Sequence, residues 1–270
     1  MTPCVKHLLI ISVLFFIATI VLATARDINL YQYLALYYIG GDNFRPWQII
    51  THMFMHGNIA HIFCNMFALW MFGRALESVW GSKRFLLYYL LCSIGAALCH
   101  TAYLGISTHH IYNAIQAFND APSPEALIVL YNDHFQKIMN PEWLTQITNL
   151  WRSDTLHSSE YAREAYTALM DLYNTILNNS LSVGASGAIY GILLAFGMLF
   201  PNEIIYINFL APVKAKWYVI IFAVLELYTG IRFTHDGIGH FAHLGGMVSG
   251  FILILIWRRR DLNKYWHNPQ

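Results

Sequence analysis

The sequence predicts an all-α polytopic membrane protein. Six transmembrane helices form one membrane domain over residues 1–270, with a long extracytoplasmic insertion, residues 105–181, between the third and fourth. Two observations carry this. Of the 270 residues, 57% are hydrophobic and only 11% charged, where a soluble globular chain carries about 25% charge. Several separate apolar runs also approach the roughly 20 residues needed to cross a bilayer core. These runs argue against the alternative, a large soluble enzyme with an apolar core. A formal net charge of +1 leaves no electrostatic footprint for nucleic acid. Cys4, Cys64, Cys92 and Cys99 lie in or beside apolar runs. They form no zinc-binding spacing and read as small apolar side chains.

Leu8 to Ala25 is the first span. Ala23-Thr24-Ala25 resembles a signal-peptide cleavage tail, but five further hydrophobic segments favour a retained helix. Arg26 to Trp47 is rich in Tyr and Trp and reads as an interfacial loop. The second span, Gln48 to Gly73, carries the polar residues His52, His56, Asn58, His61 and Asn65. A basic turn with Arg74, Lys83 and Arg84, and one acid, Glu77, leads to the third span, Phe85 to Leu104. The insertion follows, with eight acids against three bases, a balance of −5. Periodic apolar residues in Pro124 to Met139 and in Ser159 to Leu177 predict short helices. Asn178-Asn179-Ser180 matches a glycosylation acceptor, a weak signal alone. Spans four to six are Val183 to Phe200, Trp217 to Thr229 and His240 to Trp257. A polar turn with Arg232, His235 and Asp236 separates the last two.

Charge sets the orientation. Lys6, the Arg74–Arg84 turn, Lys214 with Lys216, and Arg258-Arg259-Arg260 with Lys264 fall on alternate connections; the acidic insertion falls opposite. The positive-inside rule then puts both termini in the cytoplasm. The expected location is a bacterial inner membrane.

Against this frame the stretch Ser182-Val183-Gly184-Ala185-Ser186-Gly187-Ala188-Ile189-Tyr190-Gly191 stands out. Counted from the basic side, Ser186 lies roughly 22 Å up its span, His243 roughly 21 Å, His61 roughly 18 Å and Asn65 roughly 12 Å. Gly184, Gly187 and Gly191 thin one helix; Gly239, Gly245, Gly246 and Gly250 thin the other, so the two can touch closely. Mere packing faces are the bland alternative. A histidine in the same small-residue layer points instead to a base that takes the serine proton and returns it to a leaving amine. The oxyanion would need fixed donors, for which the Ser186 backbone N–H and the side chains of His61 and Asn65 are candidates. Glu226 and Asp236 are the nearest acids in sequence to His243, and neither has the matching depth by this reading. A Ser–His dyad is therefore favoured over a triad.

These segments resemble the rhomboid family of intramembrane serine proteases. Gly184-Ala185-Ser186-Gly187 resembles its Gly-x-Ser-Gly motif. Ala242-His243-Leu244-Gly245-Gly246 resembles the segment with its catalytic histidine. His56 through Asn65 resembles its His-x3-Asn motif with the preceding histidine. The resemblance implies a rhomboid-like bundle with Ser186 as nucleophile and His243 as base and acid. It implies oxyanion stabilisation by His61, Asn65 and the Ser186 N–H. Gly184 would shape the turn, Tyr190 would pack on the catalytic histidine, and His56 would support the polar cavity. The implied partners are transmembrane protein substrates and membrane lipid; no cofactor and no metal are implied. Adaptor or substrate contact through residues 105–181 is an expectation from the insertion itself. The insertion departs from compact family members, and an inert spacer is its alternative reading.

Two other functions remain open on the residues. His52, His56, His61, His235, His240 and His243 are numerous enough for a metal-dependent protein, but His-Glu-x2-His is absent. A catalytically silent rhomboid-like binding module would keep the fold and lose the chemistry.

Overall fold

The computed structural model describes residues 1–207, 211–232 and 239–267. The expected turn carrying His235 and Asp236 lies outside the described residues. The helices of seven residues or more are α1 (Pro3–Arg26), α2 (Ile59–Trp80), α3 (Ser82–Asp120), α4 (Pro124–Leu130), α5 (Pro141–Ser153), α6 (Ser158–Asn179), α7 (Ser186–Leu199), α8 (Ala215–Arg232) and α9 (His240–His267). Two short antiparallel ladders accompany them. β1 (Leu36–Tyr37) pairs with β2 (Leu181–Ser182), and β3 (Ile204–Ile207) with β4 (Ala211–Lys214). These ladders are absent from the all-α expectation, because two- and four-residue strands carry too little alternation to be read from sequence.

Among the described residues, four helices are long and apolar enough to cross a membrane: α1, α2, α3 and the His240–Arg258 part of α9. The chain is thus a multi-helix, membrane-spanning protein. The fourth and fifth expected spans do not meet that measure. Helix α7 has only 14 residues, roughly 21 Å of rise. It is sheathed by other helices, with Ala188, Ile192 and Ala195 fully buried, so its length is not set by contact with lipid. Helix α8 reaches 18 residues but carries Lys216, Glu226 and Arg232. Large apolar side chains on its outer surface, among them Ile220, Val224, Leu227 and Ile231, are exposed, as are Ile10, Leu14, Ile17 and Val21 of α1. Lipid, not water, satisfies such surfaces.

Other boundaries also differ from expectation. The second span is not continuous from Gln48. Gln48–Thr51 and His52–Phe54 form separate short turns, and α2 restarts at Ile59. Asn58 stops the chain and caps α2, its Oδ1 accepting from His61 N at 2.8 Å. Helix α2 continues through a π-helical segment, Leu69–Gly73, and through Arg74 to Trp80. The third helix does not end at Leu104 but runs on to Asp120. Its later residues are polar, yet Ile111, Ile115 and Phe118 form a buried face.

The chain divides into two compact units. The first comprises 1–37, 44–102 and 181–270. Its core joins α1, α2, the start of α3, α7, α8 and α9 through Val5, Leu69, Phe85, Tyr88, Tyr89, Ala188, Ile192, Val219 and Met247. Glu77 ties α1 to α2. Its carboxylate accepts from Cys4 N at 2.8 Å and Val5 N at 2.9 Å, two amides that no carbonyl within α1 can reach. The lone acid of the basic turn is therefore a helix cap placed on another helix.

The second unit comprises 38–43 and 103–180. Its own core includes Ile115, Leu127, Phe135, Trp151, Ala165 and Leu169. Sequence dictates its helix starts. Pro124 and Pro141 sit in first turns, preceded by Ser123, whose Oγ accepts from Ala126 N, and Asn140, whose Oδ1 accepts from Glu142 N. Asn178, the glycosylation candidate, is used by the fold: its Oδ1 accepts from Asp42 N at 2.8 Å, and its backbone carbonyl accepts from Asn43 Nδ2 at 2.9 Å.

Candidate active site

Ser186 is the first residue of α7. The turn before it is built by Gly184, whose φ of 118° is one that side-chain-bearing residues rarely adopt. The turn is held at both ends. The β1–β2 ladder pairs Leu36 with Ser182, and Gly184 N donates to the His52 carbonyl at 2.9 Å. The first amides of α7, Ser186 N–H among them, have no acceptor within the helix and face the turn.

His243 stands in the first turn of α9, where its N–H donates to Gly239 O. Its Nε2 lies 2.8 Å from Ser186 Oγ. The imidazole stacks on Tyr190 with centroids 4.2 Å apart and planes 10° from parallel. Tyr190 follows Ser186 by four residues, so both lie on the face of α7 turned to α9. The contact of α7 with α9 is close enough that a β-carbon on Gly246 would come within 1.9 Å of Gly187 O.

His61 and Asn65 lie on one face of α2 and meet the serine turn from the other side. A β-carbon on Gly184 would sit 2.7 Å from His61 Cε1 and 3.6 Å from Asn65 Nδ2. Only glycine lets the turn lie against both side chains. Asn65 Nδ2 is buried and, among the described residues, makes no hydrogen bond. His56 packs edge-on against His61, with centroids 5.2 Å apart, and its carbonyl accepts from Tyr31 O–H at 2.8 Å. The site thus gathers a serine, an imidazole aligned with its oxygen, and side-chain donors close to the turn.

One expectation is overturned. Glu226 does share the depth of His243: its Oε2 is 3.0 Å from His243 Nδ1. That nitrogen is within ion-pair reach but not aligned for a hydrogen bond, so it counts among the buried polar atoms without one. Glu226 also receives the Tyr190 hydroxyl on Oε1, and His240 Nδ1 lies 2.6 Å from Oε2. Counting from Ala215 puts Glu226 roughly 16 Å up α8. The remaining few ångströms to His243 are closed by the lengths of the two side chains, which a count of backbone rise omits. The signal was present in the sequence: a lone carboxylate within an apolar span is costly unless it has partners.

Glu226, His240 and His243 also bring donor atoms within 4.8 Å of one another, a set chemically able to hold a metal ion. The spacing fits shared protons better. Ligands of a tetrahedral zinc, at about 2.0–2.1 Å from the metal, stand about 3.3 Å apart. Here Glu226 Oε2 is 2.6 and 3.0 Å from the two imidazole nitrogens. His52 is separate from this cluster, with Nδ1 2.9 Å from Gln48 O, and His235 lies outside the described residues.

The Rhomboid domain model matches residues 43–112 and 161–260, more than half of the chain. The Rhomboid protease GluP of Bacillus subtilis is 42% identical over 52 residues, 19% of this chain and 10% of that protein. An uncharacterized mitochondrial rhomboid protein of Schizosaccharomyces pombe is 23% identical over 235 residues, 81% of this chain and 53% of that protein. RHOMBOID-like protein 1 of Arabidopsis thaliana is 23% identical over 228 residues, 83% of this chain and 38% of that protein. The chain spans about half the length, or less, of these curated relatives. The family match brackets the middle of the second unit and covers the segments that carry His56, His61, Asn65, Ser186 and His243. The chain is an integral membrane protein and belongs to the rhomboid family.

Proposed function

We propose that this protein is an intramembrane serine endopeptidase that hydrolyses peptide bonds in or near transmembrane segments of membrane proteins. The observation that carries the reading is the 2.8 Å approach of His243 Nε2 to Ser186 Oγ, made beside a turn against which His61 and Asn65 are packed. The name of the Bacillus subtilis relative, a rhomboid protease, supports it.

Ser186 Oγ attacks the scissile carbonyl while His243 Nε2 takes its proton. Negative charge then grows on the carbonyl oxygen. The Ser186 N–H, Asn65 Nδ2 and His61 side chain stabilise it, and fixed donors of this kind act without reorganising. The imidazolium returns its proton to the leaving amine, and the acyl-enzyme forms. Water entering from the outer side deacylates it, with His243 again as base. Gly184 holds the turn close to the donors, Tyr190 fixes the plane of the imidazole, and His56 supports His61. A helical substrate's amides are self-paired, so the substrate unwinds locally before attack; Gly, Ala or Pro in its upper span favours this.

In this reading α7 and α8 complete a six-span bundle with α1, α2, α3 and α9. Both termini are cytoplasmic, in a bacterial inner membrane, and the site faces the extracytoplasmic side. Residues 105–181 would contact substrates or an adaptor. The test is cleavage of a single-span substrate in proteoliposomes by wild type, S186A and H243A, with and without a chelator. Cleavage should vanish in both variants and persist with the chelator. Wild-type cleavage by S186A would remove the serine mechanism, and loss on chelation alone would favour a metal.

A further inference from the structure

Glu226 is a buried carboxylate between apolar residues in the middle of α8, and the hydrolysis described above gives it no part. It is buried, as are His240 and His243. It is held on three sides. The Tyr190 hydroxyl donates to Oε1, His240 Nδ1 lies 2.6 Å from Oε2, and His243 Nδ1 lies 3.0 Å from the same oxygen. Thr229 Oγ1, one turn along α8, is 3.1 Å from His240 Nδ1 and steadies that ring.

We infer that Glu226 is a positioning residue that sets the tautomer of His243 and balances the charge His243 gains, converting the serine–histidine pair into a relay of three groups on α7, α9 and α8. This rests on the serine-protease reading above. A neutral imidazole carries one ring proton, and the nitrogen that holds it is set by the partner of the other. An ionised carboxylate facing Nδ1 favours the proton there. Nε2, 2.8 Å from Ser186 Oγ, is then left as the acceptor. When Nε2 takes the serine proton, the imidazolium stands against a negative partner rather than in an apolar wall. The carboxylate itself stays ionised, and no proton need pass to it. Tyr190 has two roles in this arrangement: its ring stacks on His243 and its hydroxyl anchors Glu226. The carboxylate and the imidazole are thereby aimed by the same side chain. His240, beside Tyr190 and His243, supplies a third partner, which further lowers the cost of burying the Glu226 charge.

The experiment uses the full chain in proteoliposomes. It compares wild type, E226Q, E226D, S186A and H243A by the rate of Ser186 labelling with a fluorophosphonate, by kcat and KM on a single-span test substrate, and by thermal unfolding. The Gln variant keeps size and shape but offers no charge. The expected result is that E226Q lowers both the labelling rate and kcat at least about tenfold, with KM and the unfolding midpoint little changed, and that E226D recovers part of the loss. Labelling and turnover at the wild-type rate in E226Q overturn the inference. So does a loss in E226Q that merely follows a fall in the unfolding midpoint. In both cases S186A and H243A remain inactive and the serine mechanism stands. If S186A itself cleaves, the underlying reading fails, and the Glu226 role with it.

Discussion

Gly246 of α9 lies against the backbone of Gly187 of α7, so closely that a β-carbon on Gly246 would be 1.9 Å from Gly187 O. The neighbour is main chain and cannot rotate away. The helices that bring His243 to Ser186 are therefore set by a backbone-to-backbone contact. G246A should force them apart and destabilise the protein by about 1–3 kcal/mol, the cost of overpacking. Cleavage should fall well beyond what the unfolded fraction explains, because the 2.8 Å Ser186–His243 distance is lost. Thermal unfolding alongside turnover of the folded fraction checks this; wild-type turnover would show that the contact does not set the pair.

Asn65 Nδ2 is a buried donor with no hydrogen-bond partner among the described residues, close to the Gly184 turn. A donor left open in the resting protein is suited to a charge that appears only during reaction. N65A should lower kcat by about 100- to 1,000-fold, the usual effect of removing one oxyanion donor, with KM much less changed. An unaltered turnover number would remove Asn65 from the oxyanion role.

Glu77 accepts from two otherwise unpaired amides of α1 and from Ser82 Oγ at 2.6 Å. E77A leaves those amides buried without acceptors, and unfolding should be easier by about 1–3 kcal/mol. E77Q, with one acceptor oxygen, should fall between. Because the cap lies among the first residues of α1, far in sequence from the reacting groups, kcat of the folded fraction should be unchanged.

The second unit offers a contrast between two adjacent residues. Arg152 pairs with Glu125 at 3.0 Å, and both side chains are largely exposed. R152A should therefore leave stability little changed. Trp151, next to it, is 3% exposed in the unit's core, and its indole N–H donates to Ser158 Oγ at 2.6 Å. W151A should cost about 3–5 kcal/mol. Limited proteolysis of residues 103–180 in the intact protein reads both.

Much of the site was legible because its residues announce themselves by type. Serine among glycines, a histidine in a small-residue layer, and His61 and Asn65 four apart on one helix face need only helical spacing to be brought together. The fold was legible as far as hydropathy reaches. Hydropathy marks the segments of α7 and α8 as well as those of α1 and α9, yet α7 has only 14 residues and α8 carries three charges, so neither meets the measure that α1 and α9 meet. The extension of α3 to Asp120 was hidden because its buried face is only Ile111, Ile115 and Phe118 amid polar residues. Glu226 was missed for another reason. Backbone rise ranks groups by depth to within a few ångströms, the same length as a glutamate or histidine side chain, so contact between α8 and α9 requires coordinates.

The proposed nucleophile is Ser186, activated by His243. The most direct measurement is covalent: intact-mass and peptide analysis of the reconstituted protein after reaction with a fluorophosphonate. One adduct is expected, on the Ser186 oxygen, absent in S186A and strongly slowed in H243A. Unchanged labelling of S186A, or labelling of H243A at the wild-type rate, would contradict it.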